Sequence, residues 1–291
     1  MKFARIGALG AEVPAVQVAE AQGWLDLRPL TADVDGAFLG SDPVARVQAA
    51  VAAGDLPPLE VAQDGERFGA PVTKPGAIVC IGMNYAAHAR ESGAEPPERP
   101  VIFLKHANTL AGPFDDVVVP PTSRKLDWEV ELAVVIGTRA SYLADPSESL
   151  SHVAGFAVAN DLSEREWQLE LSGGQWCKGK SVPGSTPLGP WLVTPDEVDH
   201  AALGLRTKVN GVTCQDSSTS DLIFSVEQIV WQLSQYMVLD PGDVVLTGTP
   251  EGVALSGRFP YLVPGDRMEL EVDGLGSQAQ VCVAHGAGQG A

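Results

Sequence analysis

The sequence predicts a β-rich α+β fold, a sandwich or roll of short strands, and three observations carry that prediction. Apolar runs of strand length outnumber convincing helices. They do not alternate regularly with helices, as a doubly wound parallel sheet requires. Asn210-Gly211, set among the alternating residues of "LRTKVNGVTCQ", is a strong short-range hairpin signal.

Taken in order, residues 1–73 read as a small N-terminal α+β module, with a strand at "KFARIG" and an Ala-rich helix at "DPVARVQAAVAAG". "GAPVTKPG" then punctuates the chain with two prolines and two glycines. The larger unit, 74–291, opens with the apolar runs "AIVCIG" and "VIFLK" and continues through "DDVVVP". "EVELAVVIG" and "GFAVAN" are long enough for central strands, and "DVVLTG", "RMELEV" and "AQVCVA" complete the set. In "SVEQIVWQLSQYM", Val226, Ile229, Val230, Leu233 and Met237 share one helical face behind Ser225 and Gln228 in capping-box spacing. "SEREWQLELS" repeats that spacing with Ser163 and Glu166, which predicts a second helix starting at Ser163.

A chain of 291 residues fits one large domain, or a main domain with a small partner. The net charge of −18 excludes a nucleic-acid partner, which needs a basic face. No segment has the apolar length of a membrane span, and "MKFARIGALG" lacks a signal peptide's apolar run. A cytoplasmic protein without a membrane partner is expected. Cys80, Cys177, Cys214 and Cys282 have no CxxC spacing and read as reduced thiols.

"GQWCKGKS", residues 174–181, matches the template of a phosphate-binding loop. The continuation "VPGSTPLGP" cannot build the helical first turn such a loop needs, and Gln175, Trp176, Cys177 and Lys178 are bulky for a phosphate cradle. Lys180 therefore belongs to other chemistry. In "DWEVELAVVIG" the strand period of two puts Glu129 and Glu131 on one face and Val130, Leu132 and Val134 on the other. Like carboxylates repel and resist burial, and a hard divalent cation resolves both problems. A solvent-facing edge strand is the alternative. Asp161, at the end of an apolar strand, offers a third oxygen ligand or caps the following turn. His88 and Glu91 stand three apart on a short helix, where a carboxylate can orient an imidazole as a general base; a surface His–Glu pair is the alternative.

Seven stretches in series resemble the fumarylacetoacetate hydrolase family over residues 74–284: "GMNYAAHARE", "PVIFLKHANTLAGP", "DWEVELAVVIG", "ANDLSEREWQ", "KGKSVPGSTPLGPW", "VNGVTCQDSSTSDLIFSVEQIV" and "LDPGDVVLTGTPEGVA". The likeness is to acylpyruvase-like and 2-hydroxyhepta-2,4-diene-1,7-dioate isomerase-like members. It implies a mixed β-sandwich roll, a homodimer, and a divalent metal (Mg²⁺ or Mn²⁺, with Ca²⁺ admissible) on Glu129, Glu131 and Asp161. It also implies substrate contacts at Arg165, Gln168, Lys180 and Thr249, a catalytic Lys180, and a catalytic His88–Glu91 dyad carried on a lid. Pro183 stands where many members have Asp, three residues after the lysine, and leaves the substrate open. The expected function is metal-dependent hydrolysis of a carbon–carbon bond in a β-diketo acid such as an acylpyruvate or a fumarylpyruvate-like acid. A 2-oxo acid decarboxylase or an enol–keto isomerase on the same site is the alternative, and a non-catalytic metal and small-acid binding module is a third reading.

Overall fold

The computed structural model describes residues 1–19, 21, 23–60, 66–93 and 95–286. Among them, the strand Val130–Ile136 is the organising element, and all seven of its residues are buried. It pairs antiparallel with Val153–Asn160 on one side and with Val244–Leu246 on the other. It is therefore a central strand, which removes the edge-strand alternative for Glu129 and Glu131. From Val244–Leu246 the sheet continues through Ile78–Gly82, a parallel neighbour, to Val101–Lys105. From Val153–Asn160 it continues through Leu192–Val193 to Lys2–Ile6, Val13–Gln17 and Leu25–Asp26, which makes nine strands among the described residues. The N-terminal strands thus extend the central sheet and do not close a sheet of their own.

A second, five-stranded sheet holds Val212–Ser218, Gly204–Val209, Arg267–Val272, Gly276–Ala284 and Val117–Val119, in that order. Its first hairpin turns at Asn210-Gly211 with both residues at positive φ, 52° and 79°, as the Asn-Gly signal requires. The last pair is parallel, so both sheets are mixed.

Side-chain alternation divides the core. Val130, Leu132, Val134 and Ile136 pack with Leu205, Met268, Leu270 and Val272 of the second sheet and with the helix Val226–Ser234. That helix carries the expected Ser225–Gln228 capping box. Ala133 and Val135, on the other face, pack with Ile78, Cys80, Phe3, Val16 and Val47, the last from the helix Pro43–Ala53. The N-terminal residues therefore share a core with the rest of the chain. Their seat is close: a Cβ on Gly36 would lie 2.2 Å from the Pro241 carbonyl oxygen.

One predicted helix starts elsewhere. Ser163 and Glu164 form a two-residue strand against Leu126–Asp127, and a wide helical turn runs only over Glu166–Glu170. Ser163 does not cap it, because its hydroxyl donates to the Asp161 carbonyl at 2.9 Å. Glu164 does that work, accepting from the Trp167 amide at 2.7 Å.

Candidate active site

Strand register assembles the acidic cluster. Glu131 lies opposite Ala159 and Val130 opposite Asn160, and the Asp161 amide donates to the Glu129 carbonyl at 2.9 Å. Asp161 is thereby brought beside Glu129 and Glu131, and one carboxylate oxygen from each of the three lies within 4.8 Å of the others. All three side chains are buried.

Cations hold two of the three. Lys180 Nζ donates to Glu129 Oε2 at 2.6 Å and to Asp161 Oδ2 at 2.7 Å. Lys105, buried beneath the cluster, donates to Asp161 Oδ1 at 2.6 Å and to the Leu162 carbonyl at 3.1 Å. Arg165 ion-pairs with Glu129 at 2.7 Å through Nη2 and donates from Nε to Asp127 Oδ2 at 2.8 Å. Asp127 is itself fixed by the amides of Trp128, Ala254 and Leu255. Glu131 has no ion-pair partner among the described residues; its Oε2 accepts only the Gly248 amide, at 2.7 Å.

The electrostatics follow from this unequal sharing. For Glu129, burial opposes ionisation, but Lys180 and Arg165 outweigh it and hold its pKa at about 2. For Glu131, burial and then the charges of Asp161 and Glu129 push the pKa well above the ordinary carboxylate value. Burial disfavours the charged form of Lys180, yet Asp161 and Glu129 prevail and raise its pKa. Ionised together, Asp127, Glu129, Glu131 and Asp161 carry one more charge than Lys105, Arg165 and Lys180 neutralise. Three convergent carboxylates, one lacking a cation, are a hard-oxygen donor set that fits a divalent metal. Glu129, Glu131 and Asp161 would hold it.

Glu129 and Glu131 of the cluster line a cavity of about 110 Å³. Arg165, Gln168, Lys180, Thr249 and His88 all line it, as do Phe103 and Trp176. Gln168 accepts from Arg165 Nη1 at 3.0 Å. The Thr249 hydroxyl donates to the Val130 carbonyl at 2.9 Å and accepts from Gln215 at 2.9 Å, so its proton is already used by the fold. Lys180 ends the short helical turn Cys177–Lys180, and the next element is the strand Thr186–Pro187 and not a helix, so the phosphate-loop template is absent as structure. Pro183 is exposed and outside the cavity lining.

His88 sits on the helix Ala86–Ser92, whose first turn is capped by Asp221 accepting from the Ala87 amide at 2.8 Å. Its Nδ1 lies 3.7 Å from Glu91 Oε2, beyond hydrogen-bond length. Glu91 is engaged elsewhere, accepting from the Gly252 amide at 3.1 Å and from Arg258 at 3.0 Å. Burial, aided by Arg165, outweighs Glu129 and Glu91 and lowers the His88 pKa, so the imidazole is neutral at pH 7.

Three residues of the candidate site escape the sequence reading. Asp127 continues the alternation of Glu129 and Glu131 by one more step, a signal present in "DWEVE". Lys105 closes the apolar run "VIFLK" and looks like a strand end. Trp176 enters only as an objection to a phosphate loop.

Residues 77–283 match the family model described as fumarylacetoacetate (FAA) hydrolase C-terminal. A mitochondrial oxaloacetate tautomerase of Bos taurus is 46% identical over 211 residues, 72% of this chain and 67% of its own length. A fumarylacetoacetate hydrolase from Exiguobacterium antarcticum superposes with a TM-score of 0.83 at 32% identity, covering 98% of this chain and 100% of that one. Maleylpyruvate hydrolase from Sphingobium sp. SYK-6, solved with manganese(II) and pyruvate, gives 0.78 at 28% identity, covering 98% and 99%. With the match taking in the central strand Val130–Ile136 and every residue that lines the cavity, the protein belongs to the fumarylacetoacetate hydrolase C-terminal family of enzymes.

Proposed function

We propose that the protein catalyses enol–keto proton transfer in a small 2-oxo acid, with Mg²⁺ or Mn²⁺ on Glu129, Glu131 and Asp161. The observation that carries this reading is the state of His88. It is neutral and faces the cavity, but its Glu91 partner is already satisfied by Arg258 and the Gly252 amide. Such a base is not strengthened enough to deprotonate water readily, yet it suits a carbon acid next to a polarised carbonyl. When bound, the cation supplies Lewis acidity, polarising the 2-oxo group and acidifying the adjacent C–H. His88 takes the proton from that carbon and returns it to the enol oxygen, or runs the same transfer in reverse. Lys180 places its positive charge beside the carboxylate floor, where enolate charge develops. The cavity of about 110 Å³ supports a small acid, well under the ~300 Å³ of the smallest drug-sized sites. The bovine relative's name, oxaloacetate tautomerase, supports the same reaction and makes oxaloacetate the first acid to test.

Hydrolysis of an acylpyruvate is the second reading, favoured by the nearness of His88 and Glu91. A closure that shortens their 3.7 Å separation to a hydrogen bond would give a dyad able to activate water. The two reactions differ in products. The metal-loaded protein, given enol-oxaloacetate and acetylpyruvate in parallel, is expected to speed decay of the enol absorbance without releasing pyruvate. Equimolar pyruvate and acetate from acetylpyruvate, formed faster than the enol is consumed, would favour hydrolysis instead.

A further inference from the structure

The cavity has a polar floor and an aromatic wall, and the wall is built with some care. Glu129, Glu131 and Lys180 at the floor are buried, whereas Leu169 and Leu255 of the lining are 46% and 40% exposed and mark the mouth. Trp176, half-buried, lines the same space. Its indole lies on the bare backbone of Gly82, where a Cβ would come 2.5 Å from Cζ3 and 3.1 Å from Cη2. Gly82 ends the strand Ile78–Gly82 outside the left-handed region, so close approach explains this glycine and backbone conformation does not. Phe103 also packs on the indole, edge to face, with ring centroids 5.4 Å apart at 60°.

The segment that carries Trp176 is pinned as well. Trp176 opens the turn Cys177–Lys180, which ends in the floor lysine. Within it, Gly179 is pressed so tightly against the Glu166–Glu170 turn that a Cβ would lie 2.4 Å from both the Gln168 amide and the Glu164 carbonyl. The floor lysine and the indole therefore ride on one anchored turn.

We infer that Trp176 is the specificity-determining residue for chain length, closing the space beyond the 2-oxo group to all but the shortest tails. This rests on the small 2-oxo acid reading above. The test titrates pyruvate, 2-oxobutanoate, 2-oxopentanoate and 2-oxohexanoate calorimetrically into Mn²⁺-loaded wild type, Trp176→Ala and Trp176→Phe. Wild type should lose affinity by about tenfold per added methylene once the tail meets the indole. Trp176→Ala should bind pyruvate nearly as wild type does and show a flat or inverted series, with Trp176→Phe between them. Should the alanine variant fail to fold, Trp176→Leu is expected to flatten the series in its place. An unchanged chain-length slope in folded variants that still bind pyruvate would overturn the wall and leave the 2-oxo acid reading intact. Wild type that binds no member of the series would overturn both.

Discussion

Replacing Glu131 with Gln separates the cost of the acidic cluster from its purpose. The amide keeps the shape and can still accept the Gly248 N–H, but removes the charge that no side-chain cation balances. Ligand oxygens within 4.8 Å of each other repel by about 3.5 kcal/mol per ionised pair at an effective dielectric of ~20. Glu131 faces both Asp161 and Glu129, but partial neutralisation through its raised pKa and attraction to Lys180 reduce the strain actually present. A gain of about 1–3 kcal/mol is the expected effect on the metal-free protein, or roughly 2–6 °C in Tm for a chain of this size. Because the folded-state pKa of Glu131 lies above its ordinary 4.5, the folded form binds the extra proton. Wild-type stability therefore falls as pH rises from about 4.5 toward the folded value, and the gap to the variant widens over that window. Metal should close or reverse the gap: at about a hundredfold over Kd it adds ~2.7 kcal/mol to wild type, and far less to a variant that has lost a charged ligand. Differential scanning fluorimetry at several pH values, with chelator and with Mg²⁺ or Mn²⁺, reads all of this. A metal-free variant that melts below wild type, or an equal metal-induced rise in both, would refute the reasoning.

His88→Ala should lower kcat by about a hundredfold or more while metal-induced stabilisation is retained, which activity and melting measurements on the same sample will check. In wild type, burial holds His88 below its ordinary value, so the acid limb of kcat/KM should inflect below pH ~6.5, and it should be absent from the residual activity of the variant. Asp127→Asn breaks the buried pair with Arg165 and is expected to cost about 3 kcal/mol in urea unfolding; a loss under ~1 kcal/mol would show that Arg165 does not need this anchor.

Local pattern explains what could be read in advance. Alternation in "DWEVELAVVIG" separates a carboxylate face from an apolar one because a strand's side chains alternate whatever its neighbours, and the two core clusters obey that division. Asp161 and Lys180 come from other segments, and only the pairing of Val130–Ile136 with Val153–Asn160 brings Asp161 opposite Glu129. Their place rested on resemblance, not on local physics. Lys105 was out of reach for the same reason: its role lies in a contact 56 residues away. The helix expected from Ser163 failed because two spacings compete there, and Glu164, one residue on, is the side chain that reaches a free amide. In the N-terminal part, the strand at "KFARIG" and the helix at "DPVARVQAAVAAG" are local and legible. That the strand would pair with Leu192–Val193 is not, since register between distant strands is decided by the assembled core.

The central claim is that His88 moves a proton at the carbon next to a 2-oxo group, and solvent exchange reports that step without reference to products. Proton NMR of oxaloacetate in D₂O, with diamagnetic Mg²⁺ as the metal, follows loss of the C3–H signal. Wild type should catalyse wash-in of deuterium at C3 while total acid concentration stays constant, and His88→Ala should lose that catalysis with its fold intact. Exchange that proceeds equally in both proteins, or no exchange in wild type alongside cleavage of an acylpyruvate, would contradict the account.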